Sequence, residues 1–135
     1  MSDAFTVDVP VRYRDLDTLE HVNNAVYATY LEEARVAYLD EVLDVRVEEY
    51  DFVLAHLELS YERPVTIDDD LAVVVRTTDL GETSWTQAYD LRVDGEAAAT
   101  GETTLVFVDP EAKRPRPIPD DARRKIEAFE GLEAR

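Results

Sequence analysis

The sequence predicts an α+β fold in which an antiparallel sheet curls around one long helix. Three observations lead to this prediction: an alternating strand pattern, then a helical period of about five turns, then four more strand patterns joined by short turns. A helix of this length needs an apolar surface, and consecutive strands joined by short turns supply an antiparallel sheet. The 135 residues suit one domain, 1–135, without repeats or low-complexity linkers.

The first strand pattern lies in residues 5–14. Its alternate positions are apolar or aromatic, namely Phe5, Val7, Val9, Val11 and Tyr13. This alternation predicts a half-buried strand, and Pro10 indicates an edge or a bulge. Residues 15–18 break the alternation and predict a turn.

The helical pattern begins at Asn23 or Asn24. Apolar and aromatic residues then recur at steps of three and four, namely Tyr27, Tyr30, Leu31, Ala34, Tyr38 and Val42. They form one face of the predicted helix. Asn23 is the expected N-cap, because its side-chain oxygen can accept a free amide of the first turn.

The remaining elements are mostly strands. Residues 52–61, 71–78, 83–93 and 96–108 are rich in valine, threonine, leucine or aromatic residues. Asp94-Gly95 is a strong signal for a two-residue hairpin turn. Residues 113–119 predict a proline-rich loop, and residues 120–129 a short capped helix.

The composition is strongly acidic. Fourteen lysine and arginine residues stand against 31 aspartate and glutamate residues, which gives a net charge of −17, and only two residues are lysine. Such a charge repels nucleic acid and anionic membranes, so neither is expected as a partner. A composition this rich in acids and poor in lysine resembles proteins of salt-accumulating, halophilic microbes, where about 1 M salt screens self-repulsion over about 3 Å.

Several classes of chemistry and location are disfavoured. The chain has no cysteine and only two histidines, which excludes thiolate catalysis and argues against a cysteine-based or multi-histidine metal site. No segment approaches the roughly 20 apolar residues of a membrane span, and the N-terminus lacks the apolar run of a signal peptide. We therefore expect a cytoplasmic protein without a bound metal.

The segment from Arg12 to Tyr27 carries the chemical signal. It places the aspartates of a turn a few residues before the start of a helix. The first amides of a helix have no internal partner and carry the positive end of the dipole, so they can stabilise an oxyanion. A carboxylate beside them can attack a carbonyl or activate water. This arrangement suits acyl transfer to water, although an aspartate before a helix is more often a cap or turn residue.

The same segment resembles a known family. The run RDLDTLEHVNN, the following Tyr27 and the run from Leu31 to Arg35 are similar to hot-dog fold acyl-CoA thioesterases of the 4-hydroxybenzoyl-CoA thioesterase type. The softer motifs Tyr61-Glu-Arg-Pro64 and Pro117-Ile-Pro119 extend the resemblance over nearly the whole chain. The resemblance implies a long central helix wrapped by a curled five-stranded antiparallel sheet. It also implies a homodimer or homotetramer with active sites between subunits.

By the resemblance, the chain hydrolyses an acyl-CoA thioester. Asp17 matches the family's catalytic carboxylate, as nucleophile or general base, and the backbone N–H of Asn24 matches the amide that polarises the thioester carbonyl. No further cofactor is implied, since coenzyme A is part of the substrate. Glu20 departs from the pattern, because relatives commonly carry glycine there. Asp15 is expected to be a structural partner in the turn.

Further residues are candidates for substrate binding. His21 and Asn23 flank the helix entry, Tyr27 begins the helix face, and Ser84 opens a strand where such enzymes often contact the pantetheine arm. Residues 111–135 hold seven basic and six acidic residues, against seven and 25 in residues 1–110. We therefore expect Arg63 and a cationic loop to bind the coenzyme A phosphates; the cationic loop comprises Lys113, Arg114 and Arg116. For each candidate a structural or solvated role is the alternative.

Three other functions remain open. A hot-dog hydratase or dehydratase is disfavoured, because its Gly-Asp-x-Asn-Pro-x-His pattern is absent. A second thioesterase branch uses a helix glutamate, for which Glu32 and Glu33 are candidates, but its His-Gly-Gly segment is also absent. For a non-catalytic acyl-CoA binding module of the same fold, only the intact Asp17 and the helix start argue against it.

Overall fold

The computed structural model describes residues 4–46 and 50–132. The main strands are β1 (Phe5–Val9), β2 (Phe52–Tyr61), β3 (Leu71–Leu80), β4 (Ser84–Val93) and β5 (Glu96–Asp109), and the helices are α1 (Val26–Tyr38) and α2 (Asp120–Glu130). The strands form one antiparallel sheet in the order β1-β3-β4-β5-β2. The sheet curls around α1, so the predicted α+β hot-dog fold is confirmed.

The central helix is as long as predicted but begins later. α1 starts at Val26 and continues after Tyr38 as a π-helical segment, Leu39–Leu43. Ala25 occupies the N-cap position, so the prediction that Asn23 is the N-cap is wrong by position. Asn23 still accepts a hydrogen bond from the Ala25 amide, at 2.9 Å, because the chain turns once before the helix begins.

The core lies between the inner face of the sheet and the apolar face of α1. Tyr30, Ala34 and Tyr38 of the helix are fully buried, as are Trp85 and Phe107 of the sheet. The helix also approaches β5 closely at Gly101. A Cβ atom there would lie 3.0 Å from Leu31 Cδ1 and 3.2 Å from the Glu58 carbonyl oxygen, so a larger residue would require these neighbours to shift.

One predicted strand and one predicted loop need correction. β1 ends at Val9 rather than at residue 14, because Pro10 cannot donate to a ladder and residues 13–15 form a 3₁₀ turn. Tyr13 is consequently 84% exposed instead of lying on the buried side. The predicted loop 113–119 contains a two-residue strand, β6 (Arg114–Pro115), which pairs with the end of β5.

The turn between β4 and β5 is as expected from Asp94-Gly95. These residues have φ values of 53° and 79°, which is the left-handed pair of a type I′ turn.

Glu130 of α2 accepts hydrogen bonds from the Tyr38 hydroxyl at 2.6 Å and from the Thr77 amide at 2.7 Å. This carboxylate therefore ties α2 to both the central helix and the sheet.

Candidate active site

The turn that carries Asp17 is a tight three-residue hairpin. Leu16 and Val22 form an isolated antiparallel bridge, the Asp17 amide donates to the His21 carbonyl at 2.8 Å, and the Glu20 amide donates to the Asp17 carbonyl at 3.0 Å. Glu20 has φ 63°, the left-handed conformation required at the last position of such a loop. This geometry explains physically why glycine suits that position.

The Asp17 carboxylate is held by one oxygen only. Its Oδ1 accepts the amides of Leu19 at 2.8 Å and of His21 at 3.3 Å. Within the part of the chain that the structure describes, Oδ2 accepts no hydrogen bond, and the side chain is exposed. The turn thus fixes the orientation of the carboxylate and leaves one oxygen available for a reacting group.

The helix entry presents a free amide. The Asn23 carbonyl accepts the Val26 amide at 2.9 Å, and the Asn23 side chain accepts the Ala25 amide at 2.9 Å. The Asn24 N–H between them has no acceptor among residues 4–46 and 50–132. By the family resemblance, this N–H matches the amide that polarises the thioester carbonyl.

These two groups line one cleft of about 390 Å³. The cleft lies between the Asp17 turn, the helix entry and the end of β2. Its lining residues are Asp17, Leu19, His21, Val22, Asn24, Tyr27, Tyr61, Glu62, Arg63 and Pro64. The residues that carry the carboxylate and the helix-entry amide thereby line one cleft together with apolar side chains, an arrangement that suits hydrolysis of an acyl group.

Asp15 has the structural role expected of it. It is 8% exposed, and its Oδ2 accepts hydrogen bonds from the Tyr30 hydroxyl at 2.7 Å and from the Arg12 amide at 2.9 Å. Burial, and then the bond to Asp15, raise the pKa of Tyr30 above its usual range, so Tyr30 stays protonated as a donor. The two aspartates of the turn are therefore distinguished by burial and bonding.

The other predicted site residues divide into two groups. His21, Tyr27 and Arg63 lie in the cleft, although an Arg63 nitrogen is also 3.5 Å from Glu96, and Asn23 adjoins the cleft at the helix entry. Ser84 and the cationic loop do not join them. In the sheet register, Tyr61 of β2 pairs with Ala99 of β5, and Ala99 pairs with Leu91 of β4. Ser84 lies seven residues from Leu91 along β4.

At about 3.4 Å per residue, these seven residues separate Ser84 from the cleft end of the sheet by roughly 24 Å. The cationic loop follows β5 at the same far end, where Arg114 pairs with Asp109. Within one chain, these residues and the cleft therefore lie at opposite ends of the sheet.

Sequence reasoning missed five lining residues as site residues, namely Leu19, Val22, Tyr61, Glu62 and Pro64. Tyr61 is the last residue of β2. Because side chains alternate between the two faces of a strand, Tyr61 lies on the same face as Leu57 and Leu59. That pattern could have indicated an inward-facing tyrosine at the end of the sheet, but it does not show that the helix entry lies opposite.

The helix glutamates lie elsewhere. Glu33 Oε1 is 3.1 Å from an Arg12 nitrogen, and Glu32 and Glu33 line a groove between α1 and β1. Neither residue lines the Asp17 cleft. The geometry consequently favours the aspartate over a helix-borne glutamate as the reacting carboxylate.

Residues 4–46 and 50–132 contain neither a metal-binding cluster nor a membrane-spanning helix. No three histidine, aspartate or glutamate side chains come together there in an arrangement that can hold a metal ion. Neither helix of the same ranges combines the length and apolar character needed to cross a membrane.

Comparison with known proteins identifies the family. Residues 11–126 match the model of the thioesterase-like superfamily. The long-chain acyl-CoA thioesterase FadM of Escherichia coli (strain K12) is 29% identical over 124 residues, which cover 88% of this chain and 94% of that protein.

Solved structures agree with this match. A thioesterase from Thermus thermophilus, crystallised with coenzyme A and Zn, is 41% identical with a TM-score of 0.86, covering 96% of each chain. A thioesterase superfamily protein from Jannaschia sp. CCS1 is 27% identical with a TM-score of 0.84, covering 93% of this chain and 92% of that one. The chain described here belongs to the thioesterase-like superfamily and is a thioesterase of the hot-dog fold.

Proposed function

We propose that this chain hydrolyses acyl-CoA thioesters to a free acid and coenzyme A, with Asp17 as the catalytic carboxylate and the Asn24 N–H as the oxyanion donor. The observation that carries the proposal is that Asp17 and Asn24 line one cleft. Among the described residues, one Asp17 carboxylate oxygen and the Asn24 N–H have no hydrogen-bond partner. The relatives support the substrate class, since FadM acts on long-chain acyl-CoA and the Thermus thermophilus protein was crystallised with coenzyme A.

The chemistry has two forms that differ in the first bond made. As general base, Asp17 takes a proton from water and the water oxygen bonds to the thioester carbon. The carbon–sulfur bond then breaks, and the leaving sulfur receives the proton that Asp17 removed. As nucleophile, an Asp17 oxygen bonds to that carbon, the thiolate leaves, and water then hydrolyses the anhydride. In both forms the Asn24 N–H stabilises the charge on the carbonyl oxygen. The 4-hydroxybenzoyl-CoA thioesterase type remains our proposal for the subfamily.

Thiol release from acetyl-, octanoyl-, palmitoyl- and benzoyl-CoA tests the proposal, with the wild type compared with Asp17→Asn. The asparagine oxygen can still accept the Leu19 and His21 amides, so the turn keeps its shape. We expect kcat on the best substrate to fall at least about 100-fold, the scale of losing a positioned base. Binding without turnover by the wild type would instead support the non-catalytic acyl-CoA module.

Asp109→Asn is the matched control. Asp109 Oδ1 also accepts two backbone amides, from Glu111 at 2.9 Å and Ala112 at 3.1 Å, but it lies at the far end of β5. This variant should keep wild-type kcat. Half or more of the activity left in Asp17→Asn would refute the role of Asp17.

A single turnover in ¹⁸O-labelled water distinguishes the two forms of the chemistry. If ¹⁸O is then found in the Asp17 carboxylate, Asp17 acts as the nucleophile.

We further propose that two subunits pair through β2, doubled into a tetramer. β2 is an edge strand, and its Val53, Leu54, Leu57 and Tyr61 are between 39% and 51% exposed. An open edge with apolar side chains invites pairing. A two-fold axis makes this pairing antiparallel, so the Tyr61 end of one strand lies beside the Phe52 end of the other.

This pairing bears on the phosphate site. In one subunit the cationic loop lies at the Phe52 end of the sheet, because Phe52 pairs with Phe107 near the end of β5. Antiparallel pairing of two β2 strands would bring the partner's loop to the end that holds the Asp17 cleft. We propose that this loop binds the coenzyme A phosphates there. A cytoplasmic location and adaptation to high salt remain predictions from the sequence.

A further inference from the structure

Tyr61 contacts the backbone of the helix entry across 37 residues of sequence. Its hydroxyl donates to the Asn24 carbonyl oxygen at 2.8 Å. Its ring packs edge-to-face on Tyr27, with 4.9 Å between ring centroids, and Tyr27 is only 2% exposed. A buried aromatic residue thus fixes the ring from which the hydroxyl reaches the helix entry.

The same peptide group is held from its other side. The Asn24 carbonyl and the Ala25 N–H belong to one planar unit. Tyr61 donates to the carbonyl, and the Asn23 side chain accepts the N–H at 2.9 Å. Both polar atoms of this peptide are therefore bonded to side chains, although the peptide lies outside the regular helix.

The free Asn24 N–H belongs to the preceding peptide. The carbonyl of that peptide, on Asn23, accepts the Val26 amide at 2.9 Å, and the Asn24 Cα joins the two planes. Holding both planes leaves the Asn24 N–H little freedom to turn away from the cleft. A donor that is aimed before the reaction stabilises an oxyanion without reorganisation.

We propose that Tyr61 and Asn23 are positioning residues, which clamp the Asn24–Ala25 peptide and thereby aim the Asn24 N–H at the thioester carbonyl oxygen. The inference rests on the proposed acyl-CoA hydrolysis. Tyr61 is 46% exposed, so water can replace its hydroxyl as the donor to the Asn24 carbonyl in a variant that lacks the hydroxyl. The hydrogen bond therefore contributes little to the free energy of unfolding. The clamp therefore affects the rate more than the fold.

The first test is kinetic and uses the acyl-CoA from the panel of four that is hydrolysed fastest. Tyr61→Phe keeps the ring on Tyr27 and removes only the hydroxyl. We expect kcat to fall about 10-fold, less than for loss of an oxyanion donor, with KM within twofold and an unchanged Tm. Asn23→Ala should act similarly, and Asn23→Ser should restore most of kcat, because serine can also accept the Ala25 amide.

Tyr50→Phe is the control for removing one tyrosine hydroxyl. The Tyr50 hydroxyl donates to Asp121 at 3.3 Å, outside the cleft. Its loss should leave kcat unchanged. A kcat of Tyr61→Phe within twofold of wild type, with Asn23→Ala equally active, would overturn the clamp.

The second test measures polarisation directly in Asp17→Asn, which should bind substrate without rapid turnover. The carbonyl of the same acyl-CoA is labelled with ¹³C, and its stretching frequency is recorded by difference infrared spectroscopy. We expect the bound carbonyl to absorb at lower frequency than in solution, and the shift to shrink when Tyr61→Phe is added. An unchanged shift would overturn the clamp even if kcat fell. Wild type that hydrolyses none of the four thioesters would instead refute the proposed function.

Discussion

Replacing Glu20 by glycine should stabilise the turn that carries Asp17. Glu20 has φ 63° at the last position of the three-residue loop. The left-handed conformation costs a residue with a side chain roughly 1–2 kcal/mol, because the Cβ atom approaches the following carbonyl oxygen. Glycine avoids this cost, although its extra freedom in the unfolded chain takes back about 0.5–1 kcal/mol. The difference between these two ranges is a gain of about 0–1.5 kcal/mol in the free energy of unfolding, with a midpoint of roughly 0.75 kcal/mol.

Urea unfolding at fixed molar salt measures this gain as a higher midpoint with an unchanged slope. Two variants separate the possible causes. Glu20→Gln removes the charge from a chain of net −17 but keeps the strained conformation, so its stability should stay within about 0.5 kcal/mol of wild type. Asp44→Gly relieves a second left-handed residue, φ 57°, just after the π-helical segment, and should stabilise like Glu20→Gly.

If Glu20→Gln stabilises the protein as much as Glu20→Gly, the charge and not the backbone conformation is the cause. A lower free energy of unfolding in Glu20→Gly would also refute the relief of backbone strain. The activity of Glu20→Gly gives a second readout, because the Glu20 amide closes the turn on the Asp17 carbonyl. A backbone that is unchanged but less strained should retain kcat within about twofold of wild type.

Three other predictions concern substrate binding, assembly and stability. Neutralising all three side chains of the cationic loop should raise KM for acyl-CoA and leave kcat nearly intact, because the contact is equal in ground and transition states; an unchanged KM would place the phosphates elsewhere. Light scattering at micromolar protein in molar salt should show a dimer or tetramer. Leu54→Asp on the open edge should shift the assembly toward monomer, and a monomeric wild type would contradict pairing through β2. Glu130→Ala should lower the free energy of unfolding by about 2–4 kcal/mol in urea, because two bonds to a carboxylate are lost; a change below about 0.5 kcal/mol would show that water replaces them.

The sequence by itself determined the element types and much of the catalytic hypothesis. Period-two and helical patterns predicted the strands and the central helix, because side-chain burial follows backbone geometry over a few residues. Asp94-Gly95 predicted its hairpin for the same local reason. Asp17 and Asn24 lie seven residues apart, so the turn and the helix entry that hold them could be recognised from one continuous segment.

Tertiary structure decided the contacts that no local pattern contains. Tyr61 reaches the Asn24 carbonyl only because β2 pairs with β5 in one register and α1 packs across the sheet, while the same register places Ser84 and the cationic loop at the far end. Tyr13 follows the strand period, yet it is exposed because the chain bends away after Pro10. Sequence patterns specify how a segment buries its own side chains; which distant segment meets it depends on strand order, register and helix packing, which are set by the whole core.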